Sequence, residues 1–377
     1  LNIFNNLHQQ YTTPSQWQVK DAAMYLIYAL AIESQTQKRG VTKVNKHINI
    51  LEFFQSHIIP QLQNQQTNPI IIADSLKFIA TFRKQLPLTS FDNILPLIIP
   101  YLAKEEYVVH TYACAAIERL LTTITSSTSQ PQDNNMARNV MIQNNIFSTI
   151  ITSLFNILNK NNESGENVYV MKLMMKLMSL YYKHGSLIIQ FIPPIFNELT
   201  ILLKRIAQNP KNPKFNHYLF ETIACICTTI AKPSSTNNKD ALIQLEGVLF
   251  PAFQQMLGME TCEEFAPYVF QLLSQLLSYH NNDINSNSSY IQILQPCLVP
   301  IMWKNDGNVP ALTSFICTVL NQKSYIPNDI QINGLFGIFQ VLNLSKKKIR
   351  SNCAFKILKS LFIKFMDLNN ELVIKNL

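Results

Sequence analysis

The chain has 377 residues, of which 47% are hydrophobic and only 14% are charged, with a formal net charge of +8. This length and apolar content suffice for a large buried core. Only 8 residues are glycine, where average usage of roughly 7% would give about three times as many. No glycine-rich phosphate loop is present, which argues against nucleotide-binding α/β enzymes.

Apolar residues recur at the helical spacing from one end of the chain to the other, and the alternation typical of strands is nearly absent. One type of predicted helix is apolar and often rich in small residues. In chain order its members are Lys20–Ala31, Ile72–Phe82, Val109–Leu121, Val170–Tyr181, Asn216–Ile230, Phe265–Leu277 and Pro310–Leu320.

A second type of predicted helix alternates with the first and carries a proline flanked by apolar residues. These prolines are Pro60, Pro96, Pro100, Pro193, Pro194, Pro251 and Pro300. An internal proline removes one helical hydrogen bond and kinks or breaks the helix. Its return at matching places along the chain predicts a repeated supersecondary unit.

One helix of each type per unit gives about seven or eight units of roughly 40–50 residues, which is the period of HEAT repeats. The predicted fold is therefore all-α, an α-solenoid of antiparallel helix pairs that forms a curved superhelix. The approximate units are 17–64, 68–103, 105–159, 166–208, 212–257, 262–303, 305–345 and a partial one at 346–377. A set of unrelated helical domains is the alternative.

Four polar stretches are predicted to be loops between helices and not linkers between domains: Thr122–Asn135, Lys160–Asn167, Lys232–Lys239 and Asn281–Ser289. The first residue is Leu, and helical patterning begins almost at once. We therefore expect one continuous solenoid segment, excerpted from a longer chain. No apolar run approaches the roughly 18 residues that span a bilayer, so no membrane insertion is predicted.

Residues that could carry catalysis or bind metal are dispersed. The seven histidines form no paired ligand motif. Cys225 and Cys227 are two positions apart, so they do not share a helix face. The seven cysteines are expected to be reduced, and most of them buried. The adjacent pairs Glu105–Glu106 and Glu263–Glu264 are expected to open helices, where they complement the helix dipole. We therefore predict that the chain is not an enzyme and that it binds no cofactor and no metal ion.

The basic residues form short clusters, of which Lys346–Lys348 with Arg350 is the densest. Single-strand binders combine such charge with aromatic stacking platforms, whereas the aromatic residues here lie on apolar helix faces. A solvated loop is therefore the preferred interpretation of Lys346–Lys348, and no nucleic-acid partner is predicted.

Particular strings within the repeats resemble the exportin-2 (cellular apoptosis susceptibility) family, the importin-α re-exporters of the importin-β (karyopherin) superfamily. They follow the family's order with similar spacing over roughly Trp17–Leu342. The strings are Trp17–Leu26 with Gln35–Lys38, Val108–Ala113 with Glu118–Leu120, Asn209–Glu221, Glu264–Gln271 and Gly307–Leu312. Lys346–Leu377 matches poorly.

The resemblance implies a nuclear transport receptor that exports importin-α from nucleus to cytoplasm in a complex with GTP-bound Ran. It implies that Ran is bound mainly through repeats outside this segment. It also implies a monomeric receptor that shuttles between nucleus and cytoplasm. Such a receptor is transiently present at the pores of the nuclear envelope, where it can contact nuclear pore proteins. A different HEAT scaffold, unconnected with nuclear transport, is the alternative function.

In this superfamily the second helix of each repeat generally lines the concave, partner-facing surface. The resemblance therefore implies that Leu88–Leu102, Leu187–Ile206, Leu242–Leu257 and Tyr290–Trp303 face bound partners. Lys204 and Arg205 are then the best-placed charges for a partner carboxylate, although a merely solvated position is the simpler interpretation of each. Glu118 and Arg119, within a matching string, complete the candidate partner contacts.

Overall fold

A computed structural model describes residues 16–36, 39–126, 146–160, 163–181, 191–231, 238–280 and 288–375. Apart from one hairpin, the regular structure in these ranges consists of helices. The predicted all-α helical-repeat fold is therefore confirmed. No helix in the described ranges is long and apolar enough to cross a membrane.

Contacts divide the chain into two compact units. The first comprises Leu1–Phe191 with His217–Thr222, and the second comprises Ile192–Asn216 with Ile223–Leu377. The predicted boundaries of the individual repeats stay a prediction.

The first unit contains helices α1 to α8 within its described part. These are α1 (Trp17–Ala31), α2 (Ile50–Phe53), α3 (Ile59–Gln63), α4 (Pro69–Phe82), α5 (Phe91–Ile98), α6 (Tyr107–Ser126), α7 (Ile146–Leu158) and α8 (Val168–Tyr181). A π-helical turn, Phe54–Ile58, joins α2 to α3, and 3₁₀ turns lie at Leu88–Ser90, Ile99–Ala103 and Glu163–Glu166.

Alternate helices stack in the first unit, since α4 packs against both α1 and α6, and α6 packs against α8. Aromatic rings fill the space between α1, α2 and α4. The ring of Phe78 lies 4.7 Å from that of Phe82 and 5.3 Å from that of Phe53, and Tyr28 stacks on Phe82 at 5.7 Å. The contacts α4–α6 and α6–α8, each between one helix and the next but one, are typical of stacked helix pairs.

A β-hairpin between α1 and α2 is the element that the sequence pattern did not predict. Strand β1 (Ile32–Thr36) pairs antiparallel with β2 (Gly40–Val44). Gly40 has φ +73°, a left-handed conformation that glycine adopts without a steric penalty. The hairpin is anchored on α4 and the residues after it, because Val41 is fully buried and its carbonyl accepts a 3.0 Å hydrogen bond from Gln85 Nε2.

The second unit contains helices α9 to α16 within its described part, except for His217–Thr222 of α10, which are assigned to the first unit. These are α9 (Ile192–Gln208), α10 (Pro213–Ile230), α11 (Asn238–Gly258), α12 (Ala266–Ser278), α13 (Ser288–Cys297), α14 (Val309–Leu320), α15 (Asp329–Asn343) and α16 (Lys348–Lys375). Two 3₁₀ turns lie at Glu260–Phe265 and Pro300–Trp303. Helix α14 packs against α12 and α16, and α11 packs against α9 and α12.

The prolines of the second helix type occupy two kinds of position. Pro96 in α5 and Pro251 in α11 lie inside helices, as predicted. The prediction of an internal proline is wrong for Pro60, Pro100 and Pro300, each at the first or second residue of its helical segment. It is also wrong for Pro193 and Pro194, which lie in the first turn of α9. Backbone N–H groups there have no helical acceptor, so proline costs no hydrogen bond.

Some predicted features lie partly outside the described residues. They are the loop positions 127–135, 161–162, 232–237 and 281–287, the partner-facing positions 187–190, and the histidines at positions 8 and 184.

Candidate protein-interaction surface

The described residues hold no group of three or more His, Cys, Asp or Glu side chains that could bind a metal ion.

The acidic pairs lie where the sequence predicts them, at the starts of helices. Glu105 and Glu106 are exposed immediately before α6, and Glu263 and Glu264 are exposed in the 3₁₀ turn before α12. Negative charge at these places stabilises the positive end of each helix dipole.

The cysteines are free thiols, and Cys114, Cys227, Cys262, Cys297 and Cys353 are buried. Burial raises the pKa of the Cys114, Cys227 and Cys297 thiols, which keeps these groups neutral and unreactive. Cys225 is half-buried while Cys227 is fully buried, as expected for side chains that do not share a helix face.

A buried acid–base contact joins α11, the turn after α12, and α13. Glu246 Oε1 accepts hydrogen bonds of 2.5 Å from both Tyr290 Oη and His280 Nε2. The Glu246 and His280 side chains are only 2% and 3% exposed. Because bulk solvent and a substrate have so little access to these atoms, the contact offers no open catalytic site. Its role is to hold neighbouring helices together.

Lys204 and Arg205, the predicted partner contacts of the second unit, lie in the last two turns of α9. Their neighbours Leu202, Leu203 and Ile206 are buried, so the apolar stripe of the helix faces the core. Lys204 is exposed and Arg205 is half-buried. An exposed cation, Lys204, thus lies beside the half-buried Arg205 at this edge of α9.

Glu118, a predicted contact of the first unit, is buried with 8% of its surface exposed. Its Oε2 atom lies 3.2 Å from Lys172 Nζ, which belongs to α8. Its Oε1 atom accepts a 3.1 Å hydrogen bond from Thr122 Oγ1. The carboxylate is therefore already engaged within the chain, at the interface between α6 and α8.

Further cations surround this carboxylate. Lys176, one turn after Lys172, interacts electrostatically with both Glu118 and Lys172, and burial lowers its pKa. Arg119 is half-buried. Arg83, 2% exposed, follows α4 and donates from Nη1 to the Ala80 carbonyl at 2.6 Å. Burial and, to a smaller extent, the charge of Arg119 lower its pKa to about 10, against the opposing effect of Glu118.

We call Glu118, Arg119, Lys172 and Lys176 the Glu118 cluster. The structure thus adds Lys172 and Lys176 to the predicted Glu118 and Arg119. The sequence contains a signal for both lysines, because they are the charges that interrupt an otherwise apolar helix, at positions i and i+4. Their common partner on α6 is 54 residues away from Lys172, so the sequence does not reveal it.

The polybasic run at the start of α16 contacts the turn that precedes α14. Asp306 Oδ1 lies 2.6 Å from Arg350 Nε, and Asp306 Oδ2 contacts Lys347 Nζ. Arg350 Nη2 also donates to the carbonyl of Lys304 at 2.9 Å. Lys346 and Lys348 remain exposed. This run therefore holds the start of α16 against the turn before α14, and part of it also contacts solvent.

Comparison with known proteins finds two family models along this chain. The family described as "Cse1" matches residues 1–117, and the family described as "CAS/CSE protein, C-terminus" matches residues 118–376. The two matches adjoin each other, and the second alone covers more than half of the chain.

Curated relatives agree with these matches. The chain is 38% identical over 352 residues to Exportin-2 of Bos taurus and 39% identical over 349 residues to Exportin-2 of Mus musculus. In each case the match covers 91% of this chain and 34% of the relative. The chain thus spans about a third of the length of these relatives.

A solved structure described as the exportin Cse1 in its cargo-free, cytoplasmic state matches with a TM-score of 0.78 and 26% identity. That match covers 96% of this chain and 36% of the other. Together with the two adjoining family models, it places a helical-repeat segment of the same kind in both proteins. The chain belongs to the CAS/CSE family.

Proposed function

We propose that this chain serves as part of the binding scaffold of a nuclear export receptor that carries importin-α to the cytoplasm together with GTP-bound Ran. The observation that carries the proposal is the identity of 38% over 352 residues to Exportin-2 of Bos taurus. The ordered strings of the sequence support it further, because they span several repeats and not one local motif.

The architecture suits such a receptor. In stacked helical repeats each repeat contacts its neighbours only, so small changes per repeat add up along the chain. Binding of GTP-bound Ran at one place can then alter the surface offered to importin-α at another, with a coupling of typically about 1–3 kcal/mol. No catalytic chemistry is required of this chain, since the nucleotide is hydrolysed on Ran.

The proposed contact surface in the second unit includes Lys204 and Arg205. Lys204 is exposed on α9, and positive charge there suits a carboxylate of either partner. In the first unit, the proposed contacts are Arg119 directly and Glu118 indirectly, through Lys172, with which its buried carboxylate is paired. The receptor is proposed to act as a monomer, to shuttle between nucleus and cytoplasm, and to meet nuclear pore proteins during passage.

The test uses a chimera in which this chain replaces the matched third of bovine Exportin-2. Immobilised chimera is incubated with importin-α and with Ran loaded with either GTP or GDP, and bound importin-α is quantified. We expect recovery with Ran-GTP and at most background recovery with Ran-GDP, because the receptor binds cargo and Ran-GTP cooperatively. Unaltered bovine Exportin-2 is the positive control.

Equal recovery of importin-α with both nucleotides would contradict the proposal. Circular dichroism and gel filtration of the chimera distinguish a failure to fold from a failure to bind. If the chimera folds and recovers no importin-α, the chain is a scaffold for other partners. A fluorescent fusion of the chimera is expected in both nucleus and cytoplasm, with transient signal at the nuclear rim.

A further inference from the structure

A cleft between α14 and α16 brings apolar side chains and lysines together. Its volume is about 490 Å³, which is typical of ligand-binding clefts. The lining side chains that concern ligand binding are Pro310 on α14 and Ile349, Asn352, Phe355, Lys356 and Lys359 on α16. We call these six residues the Phe355 cleft. The α16 residues extend over about 15 Å at 1.5 Å per residue, roughly the length of four or five residues of extended peptide.

Part of the wall of the Phe355 cleft is apolar and exposed. Phe355 is 57% exposed and Ile349 is 51% exposed, and Pro310 on the neighbouring helix is exposed as well. The ring of Phe355 meets that of Phe339 on α15 edge-on at 5.8 Å, which limits its movement. An apolar side chain of a ligand would displace water from these surfaces, which is favourable.

Two lysines supply the charge of the cleft. Lys356 and Lys359 are exposed and lie one turn apart on α16, with Cβ atoms about 5–6 Å from each other. Within the described part of the chain, no carboxylate and no hydrogen-bond acceptor pairs with either ammonium group. The thiol of Cys317 on α14 interacts with Lys356, and burial raises the pKa of that thiol. It therefore carries no compensating negative charge at neutral pH.

The helices that form the cleft do not balance these two charges. Helix α14 contains no acidic residue, and α16 contains none before Asp367. Two other basic side chains of α16 are already engaged, since Arg350 Nε lies 2.6 Å from Asp306 Oδ1 and Lys364 Nζ donates to the Gln322 carbonyl at 2.7 Å. The positive charge of the cleft is thus available to a ligand, and a negatively charged ligand is favoured there.

This arrangement suits a peptide that carries both carboxylates and apolar side chains. Exposed lysines are complementary in charge to carboxylates, and the apolar wall lies within the same 15 Å or so of α16. A membrane-binding helix keeps its cations on a polar face and lays its apolar face on the bilayer. Here both kinds of side chain line one cleft, which a flat bilayer does not fill. Two cations are also few for a nucleic acid, whose affinity depends on many phosphate contacts.

We propose that the Phe355 cleft is a docking site for a segment of a protein partner in which acidic residues flank apolar ones. Lys356 and Lys359 bind the carboxylates of that segment. Pro310, Ile349 and Phe355 contact its apolar side chains. The inference goes beyond the proposed function, because none of these residues is among the contacts proposed for importin-α and Ran.

The first experiment compares three fluorescein-labelled peptides for binding to the full 377-residue chain by anisotropy. The acidic–apolar peptide repeats Glu-Glu-Leu-Phe three times. The acidic peptide has Ser-Ser in place of each Leu-Phe, and the apolar peptide has Gln in place of each Glu. At about 100 mM NaCl the Debye length is about 10 Å, so long-range attraction is screened and contact pairs persist. We expect the acidic–apolar peptide to bind at least about fivefold more tightly than either of the others.

The variant Lys356→Gln/Lys359→Gln removes both charges of the cleft. The matched control is Lys211→Gln/Lys214→Gln, which removes two exposed lysines at the same spacing near the start of α10. We expect the cleft variant to weaken binding of the acidic–apolar peptide about fivefold and the control to weaken it less than about twofold. Circular dichroism should match that of the unaltered chain, because the altered side chains are exposed. Equal losses in the two variants would overturn the proposal, since net charge alone would then attract the peptide.

The variant Phe355→Ala tests the apolar wall. We expect it to weaken binding of the acidic–apolar peptide about fivefold and to leave binding of the acidic peptide unchanged, because both lysines remain. Ile349→Ala provides the same test if Phe355→Ala disturbs the circular dichroism. Unchanged binding of the acidic–apolar peptide by a folded variant of this wall would refute the proposal.

Two further results would contradict it by assigning the cleft to another ligand. One is a dT10 oligonucleotide that loses as much affinity as the acidic–apolar peptide in Lys356→Gln/Lys359→Gln. The other is cosedimentation with vesicles of phosphatidylserine and phosphatidylcholine that this variant abolishes while peptide binding is unchanged. Recovery of importin-α by the chimera is measured separately, so failure of the docking site and failure of the proposed function are distinguishable.

Discussion

Asp74 on α4 is a carboxyl group whose pKa is strongly raised in the folded chain. Burial, a hydrogen bond with Asp21 of α1 and the negative charge of Asp21 raise its pKa to about 7, against the opposing effect of Lys77. A hydrogen bond between two carboxyl groups requires that one of them carry a proton. The contact between α1 and α4 is therefore linked to pH.

We expect this linkage to lower stability as pH rises. Between the ordinary pKa of 3.8 and the folded value of about 7, the folded chain retains a proton that the unfolded chain has released. Stability conferred by Asp74 therefore falls across this interval and levels off above it. Thermal unfolding of the unaltered chain and of Asp74→Asn, followed by circular dichroism from pH 4.5 to pH 8, measures the difference.

The Asp74→Asn variant should show a flatter pH profile than the unaltered chain and a higher midpoint near neutral pH. Asp367→Asn is the control, because Asp367 is an exposed aspartate on α16, and its profile should follow that of the unaltered chain. Parallel profiles for all three proteins would refute the linkage.

The hairpin is the element whose formation depends most on one residue. A Cβ atom at Gly40 would lie 2.9 Å from the Thr81 carbonyl oxygen and would meet the Arg83 guanidinium. The left-handed backbone conformation adds a cost of roughly 1–2 kcal/mol for a residue other than glycine. Both effects oppose any side chain at this position.

We therefore expect Gly40→Ala to destabilise the chain by about 1–3 kcal/mol, measured from the urea dependence of circular dichroism. The matched control is Gly247→Ala in α11, where a Cβ atom would meet nothing within 4 Å. Alanine is the better helix former by roughly 0.5–1 kcal/mol, so the control should gain stability. A loss of stability in the control, or none in Gly40→Ala, would be the contrary result.

At the level of elements, the sequence predicts helices better than it predicts their junctions. The periodic segment Val109–Leu121 lies within α6, and Val170–Tyr181 nearly coincides with α8, because burial of one helix face imposes that period. The hairpin escaped prediction because its strands are only five residues each. Too few side chains alternate in such strands to give a clear signal.

For the whole molecule, the net charge of +8 predicts weak attraction to any polyanion without a specific site. We expect a dT30 oligonucleotide to bind at about 50 mM NaCl and to lose about a hundredfold in affinity by about 200 mM, as for about five phosphate contacts. Fluorescence anisotropy measures both affinities. Tight binding retained at about 200 mM would instead identify a nucleic-acid partner.

The candidate site shows where prediction from sequence stopped. The family resemblance indicates Glu118 and Arg119 as partner contacts. The sequence does not reveal that Glu118 is buried against Lys172 of another helix. Periodicity alone predicts that Lys204 and Arg205 lie on a helix. That Lys204 is exposed and Arg205 half-buried follows from the burial of their neighbours on α9. Whether any of these residues contacts a partner stays a prediction.

Apolar periodicity and scarce glycine are properties of local segments, so the amino-acid sequence alone predicts an all-α repeat protein. It also carried the ordered strings that resemble the family. The pairing of ionisable side chains, such as Asp21 with Asp74 and Glu118 with Lys172, is visible only in the folded chain. Those pairs join helices about fifty residues apart, and their contact depends on how neighbouring repeats stack, which no local pattern specifies.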